Sequence, residues 1–206
     1  MTTKSLGRPK SAEKRLQILQ SAGQLFLSSG YERTSMDTVA KHSGVSKQTV
    51  YSHFANKDAL FNAVIELKCI TYQIDETNIC IRTAPLKEIL EEISMRFLAL
   101  FTDPEIINMF TVIIGESVVN PHVSELFYKA GPERSLQLVA EILQAHPESA
   151  LAPEQAREVA VDFFNLLEFD FHMKSLLHLP FDMPPDKFAL HAKKTANKLI
   201  AIIRGC

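Results

Sequence analysis

The sequence predicts an all-α protein: an N-terminal three-helix helix-turn-helix domain, then a larger helical domain. Three observations carry this. Apolar residues recur at helical spacing along most of the 206-residue chain. Five prolines each stand at the head of a long apolar-periodic run, where a missing N–H does no harm. No segment sustains the alternation of a strand bounded by hairpin turns.

The first helix is marked by Ile18, Leu19, Ala22, Leu25 and Phe26, which share one face, and Gly30 is placed to end it in a left-handed conformation with Tyr31 folding back over the last turn. The second helix is expected to open at Thr34, whose hydroxyl caps free amides while Asp37 completes a capping box. Met36, Val39 and Ala40 supply its buried face, and Gly44 stops it after barely two turns. Ser46 caps a third helix, held to the core by Val50 and Phe54, four residues apart. Helix, short glycine-containing turn and helix make a helix-turn-helix, in which the first helix braces the second against the DNA backbone. Asn56 caps a fourth helix, expected to run from 57 to about 83. Pro85, Pro104, Pro121, Pro153 and Pro184 then start helices over 85–101, 104–116, 121–145, 153–179 and 184–204, with Asp103 and Asn120 as caps.

Charge is divided unevenly. Residues 1–57 hold nine Lys and Arg against three Asp and Glu, a balance of +6, whereas the remainder carries −8. A basic first quarter on an acidic remainder points to a polyanionic partner for the N-terminal part alone. Its chemistry sits on the third helix, in the stretch VSKQTVYSHFANKDALF. Lys47 and Gln48 reach base edges in a major groove, Lys toward guanine acceptors and Gln toward adenine, while Thr49 offers a methyl and a hydroxyl. Tyr51 and His53 are placed for phosphates, Thr34 and Ser46 set helix N-terminal amides beside others, and Lys57 adds a cation. One such helix reads few base pairs, so specificity requires two copies ~34 Å apart.

Other classes are disfavoured. There is no GxSxG, no HExxH and no glycine-rich phosphate loop, and seven glycines leave little room for one, so an enzyme is not expected. A pure protein-interaction module leaves the basic charge and the polar helix face unexplained. No apolar run approaches the ~18 residues that span a bilayer, and no export signal is read at the N-terminus, so a cytoplasmic protein with no membrane partner is expected. Three cysteines without a CxxC fit reduced thiols; on one continuous helix Cys69 and Cys80 stand ~16 Å apart. No cofactor is expected. Glu168 and His172 face the same way, but two candidate ligands fall short of a metal site, and none is assigned.

The segment RLQILQSAGQLFLSSGYERTSMDTVAKHSGVSKQTVYSHFANKDALFNAVI, residues 15–65, resembles the DNA-binding domain of the TetR family of bacterial transcriptional regulators. The Gly30-Tyr31 helix end, Thr34-Ser35, Val39-Ala40, Gly44-Val45-Ser46 and the Tyr51, Phe54, Asn56-Lys57 series carry the resemblance. Upstream, the basic Gly7-Arg8-Pro9-Lys10 segment resembles the flexible arm of some members of this family, a resemblance that implies a minor-groove contact through Arg8 and Lys10; a solubilising tail is the alternative. FFNLLEFDFHMKSLL, residues 163–177, is similar to a string of the AefR-like subset, with Phe169 where that string has glycine.

The resemblance implies a DNA-binding domain over 1–55 and a ligand-sensing and dimerisation domain over 56–206. It implies a homodimer joined through the last two helices, a double-stranded DNA operator and a small-molecule effector of unidentified structure, with repression relieved when the effector moves the fourth helix. Effector contacts implied among the helices that follow the DNA-binding domain are Cys69, Tyr72, Phe97, Phe101, Met109, Phe110 and Phe164, with Glu168, Asp170 and His172. The predicted helix over 153–179 is unusually apolar. Asp162, Asn165, Glu168, His172 and Ser175 share one stripe, and Phe163, Phe164, Leu166, Leu167, Phe171, Met173 and Leu177 cover most of the rest, an arc wide enough for a core and a partner helix. Asp170 interrupts that arc, so it pairs across the interface, faces the effector, or pairs with a basic residue or cap.

Overall fold

A computed structural model describes residues 9–74 and 84–205, save the side chains of residues 9, 10, 169 and 170. All regular structure among them is helical: α1 (Pro9–Arg33), α2 (Met36–Ser43), α3 (Lys47–His53), α4 (Lys57–Thr71), α5 (Leu86–Thr102), α6 (Pro104–Ser117), α7 (Pro121–Tyr128), a π-helical turn (Lys129–Glu133), α8 (Arg134–Ala145), α9 (Pro153–Leu176) and α10 (Pro185–Ile203). The all-α expectation holds. Two compact units form among the described residues, one from 9–67 with 112–127 and one from 68–74, 84–111 and 128–205, so the division falls within α4, within α6 and at the end of α7.

The first unit is built around α1. Ile18, Leu19, Ala22 and Phe26 are buried as the periodicity requires, and Leu25 is half-buried at the edge of that face. Phe26, Tyr31 and Phe61 pack as a ring triple with centroids 5.0 to 5.9 Å apart. Gly30 breaks α1 at φ 78° and ψ 174°, a positive-φ conformation more extended than the left-handed helical one expected, and it carries Tyr31 into that triple. Gly44 ends α2 at φ 68°. Ser46 Oγ accepts the Thr49 amide at 3.1 Å and Asn56 Oδ1 accepts that of Ala59 at 2.8 Å, so α3 and α4 start where the caps place them.

One start differs. The α2 cap is Ser35, which accepts the Thr38 amide at 3.0 Å. Thr34 is 1% exposed and its hydroxyl donates to the Gly30 carbonyl at 2.7 Å, fastening the glycine turn. Asp37 makes no capping box with it, turning instead to Lys47.

In the second unit α5 packs on α10 and α9, and α9 on α8 and α10. Ile89, Leu90, Ile93 and Phe97 of α5 meet Val139, Ile142 and Leu143 of α8, Phe163 and Leu167 of α9, and Ala196 and Leu199 of α10 in one core. Asp103 Oδ1 caps α6 through the Glu105 amide at 2.7 Å, whereas at Asn120 the backbone carbonyl accepts from Val123 at 3.3 Å. His146 closes the α8 end: Nδ1 accepts the Glu148 amide at 3.2 Å, which leaves Nε2 to donate to the Ala84 carbonyl at 3.0 Å.

Three helices depart from expectation at their middles or ends. The run over 121–145 is divided, because Pro132 has no N–H and its ring crowds the carbonyl four residues back; a π turn widens the backbone there and α8 resumes beyond it. α4 stops at Thr71, short of 83: the Ile74 amide returns to the Cys69 carbonyl and that of Gln73 to Ile70, both at 2.9 Å, with Gln73 at φ 56°. The last residues of that expectation, and Cys80, lie outside the described residues. α9 ends the same way, with His178 at φ 54°, three residues before the expected stop.

Candidate nucleic-acid interface and effector region

The α3 side chains divide by depth. Val50 and Phe54 are buried, while Lys47, Gln48 and Tyr51 are exposed and Thr49 and His53 half-buried. Seven residues make two turns, so Val50 and Phe54 use one face and leave the opposite one polar. Arg15 of α1 lies 5.1 Å from the Phe54 ring, adding a cation that helical periodicity in α3 could not reveal.

Two of the predicted cations have partners. Lys47 Nζ lies 2.8 Å from Asp37 Oδ1 and 5.8 Å from the Tyr51 ring, both partners being exposed. Such a surface pair is weak, about 0 to 1 kcal/mol, and yields readily to another anion. Lys57 is held more firmly: its Nζ donates to the Tyr31 carbonyl at 3.0 Å and stands 4.0 Å from the Tyr31 ring, with Glu32 at 3.7 Å. There it serves the C-terminal end of α1. Thr34 is turned inward, and the exposed hydroxyl at the start of α2 belongs to Ser35. Arg8 lies outside the described residues, as does the side chain of Lys10.

Behind this surface stands a network that no local motif announces. Tyr31 donates its amide to Glu116 Oε2 at 3.1 Å and its phenol to Asp58, whose other oxygen lies 2.9 Å from His122 Nε2. Burial, with the carboxylate beside it, holds the Tyr31 phenol far above its ordinary range, and that hydrogen bond lowers the Asp58 carboxyl. The Gly30 Cα side faces Glu116 so closely that a β-carbon would fall 1.9 Å from its Oε1.

The residues expected to meet an effector gather in two places. Cys69 lines a cavity of about 170 Å³ with Ile74, Arg134, Ser135, Gln137, Leu138 and Glu141. Tyr72, half-buried, donates to Asp103 Oδ2 at 2.6 Å. The others centre on α5, α6 and α9. Phe97, Phe101 and Met109 are buried; Phe97 meets Phe164 at 4.9 Å, and His172 meets Phe101 at 5.3 Å and Phe110 at 5.2 Å. His172 Nε2 stands 3.9 Å from Glu168 Oε2, too far for a hydrogen bond. Burial pushes the Glu168 carboxyl up to about 8 and the His172 imidazole down, so both are chiefly uncharged at pH 7. The Asp170 side chain lies outside the described residues. Among those described, no group of three or more His, Cys, Asp and Glu converges as a metal site would require, and no single helix is long and apolar enough to cross a membrane.

A side-chain-capped α3 with a polar outer face, braced by α2 on an all-helical body, defines a helix-turn-helix DNA-binding protein. Family comparison agrees: residues 18–64 match the tetR family of bacterial regulatory proteins, and residues 88–201 match the C-terminal domain of AefR-like transcriptional repressors. The chain belongs to the TetR family of transcriptional regulators and carries the AefR-like C-terminal domain. A TetR-family regulator of Mesorhizobium loti superposes with a TM-score of 0.73 at 26% identity, over 95% of this chain and 98% of that one. The flavonoid-responsive regulator FrrA superposes with a TM-score of 0.67 at 27% identity, over 93% and 97%. The transcriptional activator FasR of Mycolicibacterium smegmatis is 41% identical over 54 residues, 26% of this chain and 25% of its own. Such curated relatives are matched over a quarter to about a third of their length.

Proposed function

We propose that the chain works as a cytoplasmic homodimer that represses transcription from a palindromic operator and is released by a small, mostly apolar effector. The observation that carries the reading is the division of α3: Val50 and Phe54 fix the helix while Lys47, Gln48, Thr49 and Tyr51 face outward on a basic N-terminal quarter. Residues 1–55 read DNA and 56–206 sense and dimerise. Lys47 and Gln48 address base edges, Thr49 a thymine methyl, and Tyr51, His53 and the Ser46-capped amides the phosphates. Ser35 takes the place first given to Thr34 beside the backbone.

Dimerisation is supported by Met173 of α9, Leu177 just past its end and Leu190 of α10, which are 55%, 60% and 57% exposed while other residues of both helices are buried in the core. Apolar side chains left in water at that size favour a partner surface. An effector acts only to the extent that it binds the DNA-free arrangement more tightly, through α4 in our scheme. Because FrrA is flavonoid-responsive, flavonoids are the first effector class to screen.

The test is selection of a bound duplex from random sequence with the full chain, followed by titration across salt with and without a candidate effector. A palindromic site, a steep fall of affinity with salt and weaker binding with effector are expected. Salt-insensitive binding, or an asymmetric single half-site occupied by a monomer, would overturn the reading.

A further inference from the structure

α9 begins acidic and α10 ends basic. Glu154, Glu158 and Asp162 follow one another at four-residue spacing and so form one row on α9, the first two exposed and the third half-buried. Lys194 and Lys198 repeat that spacing on α10, and Arg204 stands at its end, all three exposed. Lys193 adds a cation one position round from Lys194, and Arg157 lies about 100° round from Glu158, off the acidic row.

The two charged ends lie abreast. Residues 177–184 join the helices, and His191 Nε2 is 2.9 Å from the Leu167 carbonyl oxygen, so α10 starts beside the end of α9 and runs back along it. Each residue gained on α10 is matched by one lost on α9, which brings Lys194 and Lys198 about level with residues 160–164 and Arg204 about level with Glu154. The opposite end of the pair is apolar, with Met173, Leu177 and Leu190 exposed. None of the six charged groups forms an ion pair with a described residue. Like charges four residues apart repel, so each row weakens its own helix until opposite charge is brought beside it.

We propose that a second copy of this chain docks on this face with its two-fold axis running along the helix pair, so that Glu154, Glu158 and Asp162 of one subunit meet the partner's Lys194, Lys198 and Arg204. The assignment rests on the homodimer reading above and fixes how the two copies meet. An axis in that direction preserves height along the helices. It sets apolar end on apolar end and acid beside base, and it makes every contact twice. An axis across the pair inverts one copy and presses the charged end onto Met173, Leu177 and Leu190, where the charges lose water without gaining partners. A nucleic acid suits the lysines but is repelled by the acidic row beside them. A regulator of the same fold whose rows do not match is repelled too, so the charges select self.

Sedimentation equilibrium of the full-length chain at low salt tests this with two double variants, Lys194→Glu with Lys198→Glu and Glu158→Lys with Asp162→Lys. Each alone is expected to dimerise about a hundredfold more weakly than the parent, because the symmetry turns every lost attraction into two repulsions. Mixed in equal amounts, the two restore the pairings and should form a heterodimer within about tenfold of the parental affinity. Circular dichroism confirms that each is helical. Lys194→Gln with Lys198→Gln, which removes charge without reversing it, should lie between, weakened about tenfold. Raising salt to about 0.5 M should weaken the parent several-fold and the Gln variant less. Reversed variants that dimerise as tightly as the parent, a mixture no tighter than either variant alone, or a parent dimer indifferent to salt would overturn the proposal. If the parent dimerises and the charge variants leave its affinity unmoved, the homodimer reading stands and this arrangement falls. A parent that stays monomeric when concentrated removes both.

Discussion

Glu168→Gln should stabilise the protein, and the gain should grow with pH. In the unfolded chain the carboxyl ionises near 4.5, whereas in the folded protein burial pushes it up to about 8. The folded state therefore holds a proton that the unfolded state has released, and stability is lost as pH rises from 4.5 through 8. Gln is neutral throughout and loses nothing. The gap between variant and parent follows at roughly 1, 2, 3 and 4 kcal/mol at pH 5, 6, 7 and 8. These are ceilings, because a quarter of the side chain meets water and screens the charge. His172 acts in the opposite sense, since its lowered pKa costs stability as pH falls below 6.5, but this contribution is common to both proteins and cancels in the difference. Urea unfolding of both at equal protein concentration, at those four pH values, measures the gap. In a chain of 206 residues a 3 kcal/mol gain raises the melting temperature by about 6 to 12 °C. Parallel stability curves, with a gap that does not change between pH 5 and 8, would refute the burial argument.

Gly30→Ala should lower stability by about 2 to 3 kcal/mol in the same assay, because its φ of 78° is strained for any side chain and the new methyl meets Glu116. Adding Glu116→Ala should recover only the steric part; a single variant that melts with the parent contradicts this. Asp37→Ala frees Lys47, so fluorescence anisotropy should show duplex binding strengthened several-fold at low salt, with a log–log salt slope steeper by about 1. An unchanged slope would place Lys47 away from DNA. Gln73→Gly should add about 0.5 to 1 kcal/mol by relieving a left-handed residue at the end of α4. The Arg96 hydrogen bond there survives, since it is made to the backbone carbonyl of residue 73. Destabilisation instead would mean that the Gln73 side chain is itself needed.

Helix beginnings were legible because their chemistry is local: Ser46, Asn56 and Asp103 cap the amides just ahead of them, and Pro104, Pro121 and Pro153 head their helices. Helix ends were less so. α4 and α9 finish on left-handed Gln73 and His178, residue types that announce no stop, and Pro132 was absorbed by widening the backbone instead of ending the helix. Thr34 and Ser35 are both capping residues and adjacent; the inward hydrogen bond to Gly30 decides between them, and that bond depends on the glycine's conformation. The α3 face was readable from the spacing of Val50 and Phe54. The pairings of Lys47 with Asp37 and Lys57 with Tyr31 were not, being contacts across 10 and 26 residues that follow from tertiary packing.

The approach of Glu116 to Gly30 has a consequence for descent. Two positions 86 apart in the chain share one small volume, in which the carboxylate also receives the Tyr31 amide. A lineage that acquires a side chain at position 30 must shorten position 116 and find another acceptor for residue 31. A lineage that loses the carboxylate must satisfy that amide before it gains any freedom at position 30. Related regulators should therefore keep the glycine and the glutamate together or replace them together, which makes the pair a marker by which a multiple alignment can sort this lineage from others of the same fold.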